Sequence, residues 1–209
     1  LALDKHGNLY WTCKSAGVIL TRDRRGDIQL LLGGQPSPTG IAVDHWDNVY
    51  FTLVPTPGVG GGMGGQNSVQ VTDGTNIEML SGGEPEPADI AASRDGTIYW
   101  TCKTAGVILG KAPGRPIQLL ASGLNQPLGI ALDHQGRNLY WTEVPTPGLP
   151  GPLGGQNRVV QMNLSTRAMT IVDQGDPEPS DLAVASNGSI FWTCSSAGVI
   201  VQATPVRGH

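Results

Sequence analysis

The sequence predicts an all-β protein, a β-propeller with five recognisable blade units of which the last is incomplete. Two observations predict this fold. A short first-strand motif recurs five times at intervals of 40 to 52 residues, and each copy is followed by a Gly- or Asn-containing turn and an aromatic strand. Repeats of this length, with four short strands separated by Gly, Asp and Asn turns, are typical of propeller blades.

The first two strands of each unit carry the clearest motifs. The first strand opens with Leu or Ile followed by Ala, at residues 1–4, 41–44, 90–93, 130–133 and 182–185. The second strand contains two aromatic residues followed by Thr, at residues 10–12, 50–52, 99–101, 140–142 and 191–193. We therefore expect one domain with blade units at approximately 1–40, 41–89, 90–129, 130–181 and 182–209, the last without a fourth strand.

The blade units are of two types that alternate along the chain. Units one, three and five contain Trp-Thr-Cys followed by Ala-Gly-Val-Ile, and we call them Cys-type blades. Units two and four contain Val-Pro-Thr-Pro-Gly and a later Gly-Gly-Gln-Asn, and we call them Pro-type blades. Alternation closes most naturally on an even number of blades. The sequence is thus compatible with a six-bladed parent lacking one Pro-type blade, a five-bladed ring, or an open ring that self-associates through its free blade edges.

Composition and charge exclude several partners. The net charge is −4 and the basic residues are scattered, which argues against nucleic acid as a partner. No apolar run approaches the roughly 20 residues of a membrane-spanning helix, so we expect no membrane span. The chain opens directly in a strand-like segment, from which we expect a processed or partial N-terminus. Two glycosylation sequons, at 163–165 and 187–189, mildly favour an extracellular location.

The blade motifs resemble a known group of repeats. Residues 129–133 followed by 139–143 are similar to the YWTD and NHL propeller repeats, and the overall pattern resembles the gluconolactonase/regucalcin-like propellers. This resemblance implies the fold, but propellers of this kind include receptors, scaffolds, lectins, lyases and lactonases. The Asp that ends a YWTD repeat is replaced in this chain by Cys13, Leu53, Cys102, Glu143 and Cys194. The inter-blade hydrogen bond of that Asp is therefore not implied in any unit.

The lactonase resemblance implies a divalent metal held by Asn, Asp and Glu side chains at the starts of the innermost strands. The aligned positions are Thr39, Ala88, Leu128 and Ser180, none of which has a carboxylate or a carboxamide. A calcium site requires six or more oxygen ligands, which this set does not supply. The metal-binding quartet is therefore missing, although Asp carboxylates follow one residue later in two units.

Candidate ligand-binding residues gather on the face that carries the connections between blades. Two Pro/Gly loops, Val54–Gln66 and Val144–Gln156, are expected to be shaped by proline and glycine. Acidic connectors lead into the third and fifth units. The candidate residues are Asn67, Glu84, Glu86, Asp89, Glu143, Asn157, Asp176, Glu178 and Asp181. These carboxylates could bind Ca²⁺ or a sugar-like ligand, or the connectors could simply be solvated and cap the next strand.

No combination of residues in the sequence forms a catalytic set. The three cysteines occupy equivalent positions in alternate blades, too far apart for disulfides between them, and are expected to be small buried residues. The leading hypothesis is a non-enzymatic propeller that binds a small molecule, a glycan or a protein on the face with the Pro/Gly loops and acidic connectors. The alternatives are a metal-dependent lactone or ester hydrolase using Glu143, Asp89 and Asp181, and a self-assembling structural subunit.

Overall fold

The computed structural model describes residues 1–55, 66–145 and 156–204, which form five antiparallel sheets and no helix. The first sheet contains β1 (Ala2–Leu3), β2 (Leu9–Cys13), β3 (Val18–Arg22) and β4 (Ile28–Leu32). The second contains β5 (Pro38–Val43), β6 (Val49–Leu53), β7 (Ser68–Thr72) and β8 (Ile77–Gly82). The third contains β9 (Pro87–Ala92), β10 (Ile98–Cys102), β11 (Val107–Lys111) and β12 (Gln118–Ala121). The fourth contains β13 (Pro127–Leu132), β14 (Asn138–Glu143), β15 (Arg158–Asn163) and β16 (Met169–Gln174). The fifth contains β17 (Pro179–Val184), β18 (Ile190–Cys194) and β19 (Val199–Ala203).

Each sheet is a meander whose strands pair in chain order, and the five sheets are the blades of a β-propeller. The first strand of each blade is innermost, because contacts join β5 to β9, β9 to β13 and β13 to β17. The predicted fold is confirmed, including the missing fourth strand of the fifth blade in the described residues. The central parts of the loops Val54–Gln66 and Val144–Gln156 lie outside the described residues.

The inner strands of blades two to five begin at a proline, three residues before the repeated apolar motif. Proline suits the first residue of a strand because it has no N–H to donate to the ladder. The residue before each proline has a positive φ, between 46° and 51°, at Ser37, Glu86, Gln126 and Glu178. The backbone carbonyls of Glu86 and Glu178 accept hydrogen bonds from the N–H groups of Lys103 and Ser195. The connectors are thus anchored to the second strand of their own blade.

Adjacent blades pack through apolar faces, with the tryptophan side of one blade against the tyrosine side of the preceding blade. Trp100 and Cys102 pack in one cluster with Tyr50 and Val69 of the second blade. Trp141 packs against the third blade, and Trp192 with Cys194 against the fourth. The repeated tryptophans thus pack between blades at these three positions.

The first and fifth blades are the ends of the blade series. Within the described residues, no contact comparable to those between the other inner strands joins β17 to β1. Trp11 at the first blade is partly exposed, whereas its counterparts Trp100 and Trp141 are fully buried. The wedge between the last blade and the first is therefore open.

The three cysteines are free thiols, as predicted. Cys102 and Cys194 are buried at the end of the second strand of their blades, while Cys13 at the same position of the first blade is partly exposed. The difference follows from the open side of the first blade. In the described part of the chain there is no helix that could span a membrane.

Candidate ligand-binding channel

The inner strands of all five blades line a central cavity of about 990 Å³. The cavity continues into the opening between the first and fifth blades, where Leu1 and Leu3 lie on one side and Phe191 and Ile200 on the other. Its wall combines aliphatic side chains of the inner strands with many charged and polar residues, among them Lys5, Arg94 and several aspartates. A cavity in which apolar side chains and polar groups converge is typical of a ligand site.

Two of the candidate residues, Asp89 and Asp181, lie on the wall of this cavity. They occupy the same register position in the inner strands of the third and fifth blades, and the second and fourth blades have Gly40 and Gly129 there. At all four positions the backbone N–H donates to the hydroxyl of the second-strand threonine, at 2.8 to 3.2 Å. Acidic and glycine positions therefore alternate around the channel.

The glycines at these positions are required by the close approach of neighbouring inner strands. A Cβ atom on Gly40 would lie 2.6 Å from the Cα of Asp89, and one on Gly129 would lie 2.7 Å from the Cα of Asp181. Real Cβ atoms do not approach backbone atoms this closely, so a side chain would push two blades apart. Only the Cys-type blades can present a side chain here.

Replacement of Gly129 by Ala should destabilise the protein by about 1–3 kcal/mol, the usual cost of overpacking a tightly packed interior. The matched control is Gly33→Ala, because a Cβ there would make an ordinary contact of 3.7 Å with Leu30. Urea unfolding of the two variants provides the measurement. Equal midpoints for the two variants would contradict the steric requirement at the channel.

Asp89 is held by the next blade and has a perturbed acidity. Its Oδ2 accepts a hydrogen bond of 3.0 Å from the backbone N–H of Ile130. Burial raises the pKa of Asp89 to about 7, the negative charge of Asp181 adds to this effect, and the N–H groups of Ile130 and Ile90 oppose it. The carboxyl therefore carries a proton that an ordinary aspartate would have lost at mildly acidic pH.

Asp181 is the more exposed member of this pair. Its Oδ1 accepts a hydrogen bond of 2.8 Å from the backbone N–H of Leu182, the next residue. It makes no ion pair with any described residue, so its charge acts on Asp89 and on whatever enters the channel. A partly buried acid with a raised pKa and a second acid beside it in a cavity is a common mark of a functional site.

The other residues of the acidic connectors make local structural contacts. The backbone carbonyls of Glu84 and Asp176 accept hydrogen bonds from the side-chain amides of Asn67 and Asn157, at 2.8 and 2.9 Å. The carboxylate of Asp176 accepts a hydrogen bond of 2.8 Å from the indole N–H of Trp192, and that of Glu84 accepts one from Ser81. These four candidate residues thus tie the Pro-type blades to the connectors that follow them.

Glu143 is fully buried inside the fourth blade. Its Oε2 lies 2.6 Å from a guanidinium nitrogen of Arg158 and also accepts a hydrogen bond of 2.9 Å from the backbone N–H of Asn125. Its Oε1 accepts a hydrogen bond of 2.8 Å from the indole N–H of Trp141. The carboxylate has no exposed surface. The structure therefore brings Asp89 and Asp181 together at the channel and places Glu143 in a separate buried ion pair.

The repeated second-strand threonines link neighbouring blades, a role that the sequence analysis missed. The hydroxyls of Thr12 and Thr101 donate to carbonyls of the next inner strand, at 2.6 Å in both cases, and Thr142 makes a longer bond of 3.4 Å. The signal was present, because Thr is the one residue that ends the aromatic run in all five units. Thr101 and Thr142 also accept the inner-strand N–H bonds described above.

A metal site does not emerge from the described residues. They contain no group of three or more His, Cys, Asp or Glu side chains positioned to hold a metal ion. Asp89 and Asp181 alone supply fewer oxygens than the six to eight that Ca²⁺ takes. The described carboxylates therefore do not fit a calcium centre of the kind that the lactonase resemblance implies.

The fold and channel define a five-bladed β-propeller. No family model matches the sequence, and no curated protein matches it.

Among solved structures, the chain is similar to a chain of a nidogen/laminin complex, at 18% identity and a TM-score of 0.70, covering 90% of this chain and 69% of that one. It is also similar to a gluconolactonase of Xanthomonas campestris, at 19% identity and a TM-score of 0.70, covering 99% and 75%. A virginiamycin B lyase from Staphylococcus aureus is 16% identical with a TM-score of 0.67, covering 97% and 68%. At these identities the likeness concerns the fold, and the predicted resemblance is confirmed at that level.

Proposed function

We propose that this protein is a non-enzymatic binding propeller that holds a small, positively charged organic ligand in its central channel, against the carboxylates of Asp89 and Asp181. The observation that supports the proposal most directly is the pair of acids on alternate inner strands. Glycines fill the positions between them on the second and fourth inner strands. The other acids of the described wall, Asp4, Asp44, Asp95 and Asp133, each accept a backbone hydrogen bond from their own turn.

The electrostatics of the pair favour a cationic ligand. Two neighbouring carboxylates repel each other when both are ionised, and a positive charge placed between them removes that cost. An ammonium or guanidinium group can also donate charge-assisted hydrogen bonds to both carboxylates. The aliphatic side chains of the inner strands would contact the apolar part of the same ligand.

Binding of a simple diamine should depend on pH and on both acids. With putrescine as the probe in isothermal titration calorimetry, we expect the affinity to rise as the pH increases from 6 to 8, because Asp89 must lose its proton to bind a cation. Asp89→Asn and Asp181→Asn should each weaken binding by about 10-fold or more, the value of one hydrogen bond to a charged group. Asp89→Asn should also remove the pH dependence.

Stability gives a readout that needs no ligand. Folded Asp89 retains a proton that the unfolded chain releases near pH 4, so the free energy of unfolding contributed by this group falls as the pH rises from about 4 to about 7. Asp89→Asn should flatten that fall in urea titrations. The control is Glu178→Gln, an exposed acid of the connector beside the channel, which should change neither the affinity nor the pH profile.

Three results would contradict the proposal. Equal putrescine affinity in the wild type and both Asn variants would exclude the pair as the site. Tight binding of CaCl₂ without binding of putrescine would favour the alternative in which the carboxylates bind Ca²⁺. Metal-dependent hydrolysis of glucono-δ-lactone that is lost in Asp181→Asn would favour the hydrolase alternative, whose supporting observation is the shared fold with the gluconolactonase. The extracellular location stays a prediction from the sequence.

A further inference from the structure

Equivalent residues of the repeats differ sharply in exposure at the two ends of the blade series. Ile19 and Ile108, in the third strands of the first and third blades, are 0% exposed. Ile200, at the equivalent position of the fifth blade, is 73% exposed. At the other end, Leu1 is 76% exposed, whereas its counterpart Ile41 is 3% exposed. Both exposed residues face the open wedge between the last blade and the first.

The tryptophan face of the first blade is open in the same way. Cys13 and Trp11 are partly exposed, and Leu3 on the same sheet is largely exposed. In the third blade the corresponding Trp100 is fully buried by side chains of the preceding Pro-type blade. The first blade has the same residues on this face and lacks the sheet that would cover them.

Hydrogen bonding agrees with the pattern of exposure. The second-strand threonines of the first, third and fourth blades donate to carbonyls of the next blade. In the described residues the hydroxyl of Thr193, in the fifth blade, bonds only to Ser180 and Asp181 of its own blade. A blade following the fifth would supply a carbonyl of the kind that Thr12, Thr101 and Thr142 bind. Thr52 is the exception, because its hydroxyl bonds to Thr39 and Gly40 of its own blade although the third blade follows it.

We infer that the wedge between the fifth and first blades binds a four-stranded sheet of the Pro type, supplied by polypeptide outside these 209 residues. Both open faces belong to Cys-type blades, and at every interior junction a Cys-type blade packs against a Pro-type blade. The docking sheet would place a Tyr/Val face, like that of the fourth blade, on Trp11, and a Trp/Val/Met face on Ile200.

A second copy of this chain does not provide such a sheet. Its two Pro-type blades are the second and fourth, and each is already covered on both faces by its own neighbours. A second copy could offer only its own open Cys-type faces. Contact between two Cys-type blades occurs at none of the interior junctions.

Cys13 provides the test, since a docked sheet should bury it as Cys102 and Cys194 are buried. The test protein is a fusion in which a second copy of residues 112–178 follows Ala203, the position equivalent to Lys111, so that it supplies a fourth strand and one complete Pro-type blade. Iodoacetamide labelling at pH 8, read by mass spectrometry, is expected to modify Cys13 readily in the 209-residue protein and at least 10-fold more slowly in the fusion. Burial raises the pKa of Cys102 to about 12, so this thiol is an unreactive internal reference.

The matched control is the same fusion with Val159→Asp in the appended copy only, which should leave Cys13 as reactive as in the 209-residue protein. A second fusion, with residues 23–86 after Ala203, replaces the first if circular dichroism finds it unfolded. Unchanged labelling of Cys13 in a folded fusion would overturn the inference. Light scattering that finds a dimer of the 209-residue protein, with Cys13 already protected, would also overturn it and assign the wedge to a second copy.

Discussion

Replacement of Glu143 by Ala is expected to lower the free energy of unfolding by about 3–5 kcal/mol, the cost of removing one partner from a buried ion pair. The partner Arg158 is 2% exposed, and its guanidinium lies 2.6 Å from the lost carboxylate. The substitution also removes the acceptor for the indole of Trp141 and for the N–H of Asn125. Urea unfolding followed by tryptophan fluorescence measures the change.

The double variant Glu143→Leu/Arg158→Met serves as the control for this effect. Removing both charges together avoids an uncompensated buried cation, so the double variant should be more stable than Glu143→Ala. A loss below about 1 kcal/mol in Glu143→Ala would contradict the structural role, since surface substitutions lie within about 0.5 kcal/mol. If Glu143 instead served a hydrolase, its replacement would remove activity and leave stability nearly unchanged.

Truncation of one isoleucine should have very different effects in two copies of the same repeat. Ile108→Ala is expected to cost about 2–5 kcal/mol, as for other isoleucines deleted from a packed core. Ile200→Ala should change stability by no more than about 0.5 kcal/mol, the range for exposed positions. The two residues occupy the same position of the third strand in two blades with the same local sequence. They differ in whether a following blade covers them.

Chemical denaturation of both variants tests this contrast. Each variant is the control for the other, because the change of side chain is identical. Equal losses would mean that Ile200 is covered in solution, and light scattering on the same samples would then tell whether a second molecule covers it. Equal and negligible effects would instead mean that the interface between the third and fourth blades contributes little.

The fold was predictable because its information is local and repeated. One motif for the inner strand and one for the aromatic strand recur in every blade, so each copy supports the others. The start of the inner strands was less visible. The apolar motif of the second unit starts at Ile41, whereas the strand already includes Pro38, which pairs with Leu53 of the neighbouring strand.

The candidate site was only partly predictable, because its geometry depends on contacts between blades. The sequence indicated a group of nine polar residues, of which the structure places Asp89 and Asp181 on the channel wall. The side-chain amides of Asn67 and Asn157 donate hydrogen bonds to backbone carbonyls 17 and 19 residues away. No sequence motif predicts these two bonds. The alternation of acid and glycine was visible in the sequence, but its meaning required the distance between neighbouring inner strands.

The open wedge has a consequence for how the five blades share stability. In a closed ring every blade has two neighbours, so none can unfold without exposing both. In the open arrangement the first and fifth blades have one neighbour each, as at the ends of a linear repeat array, whose stability is a sum of units and nearest-neighbour interfaces. As long as no other sheet occupies the wedge, we expect the described part of the fifth blade, with its three strands, to unfold more readily than the interior blades.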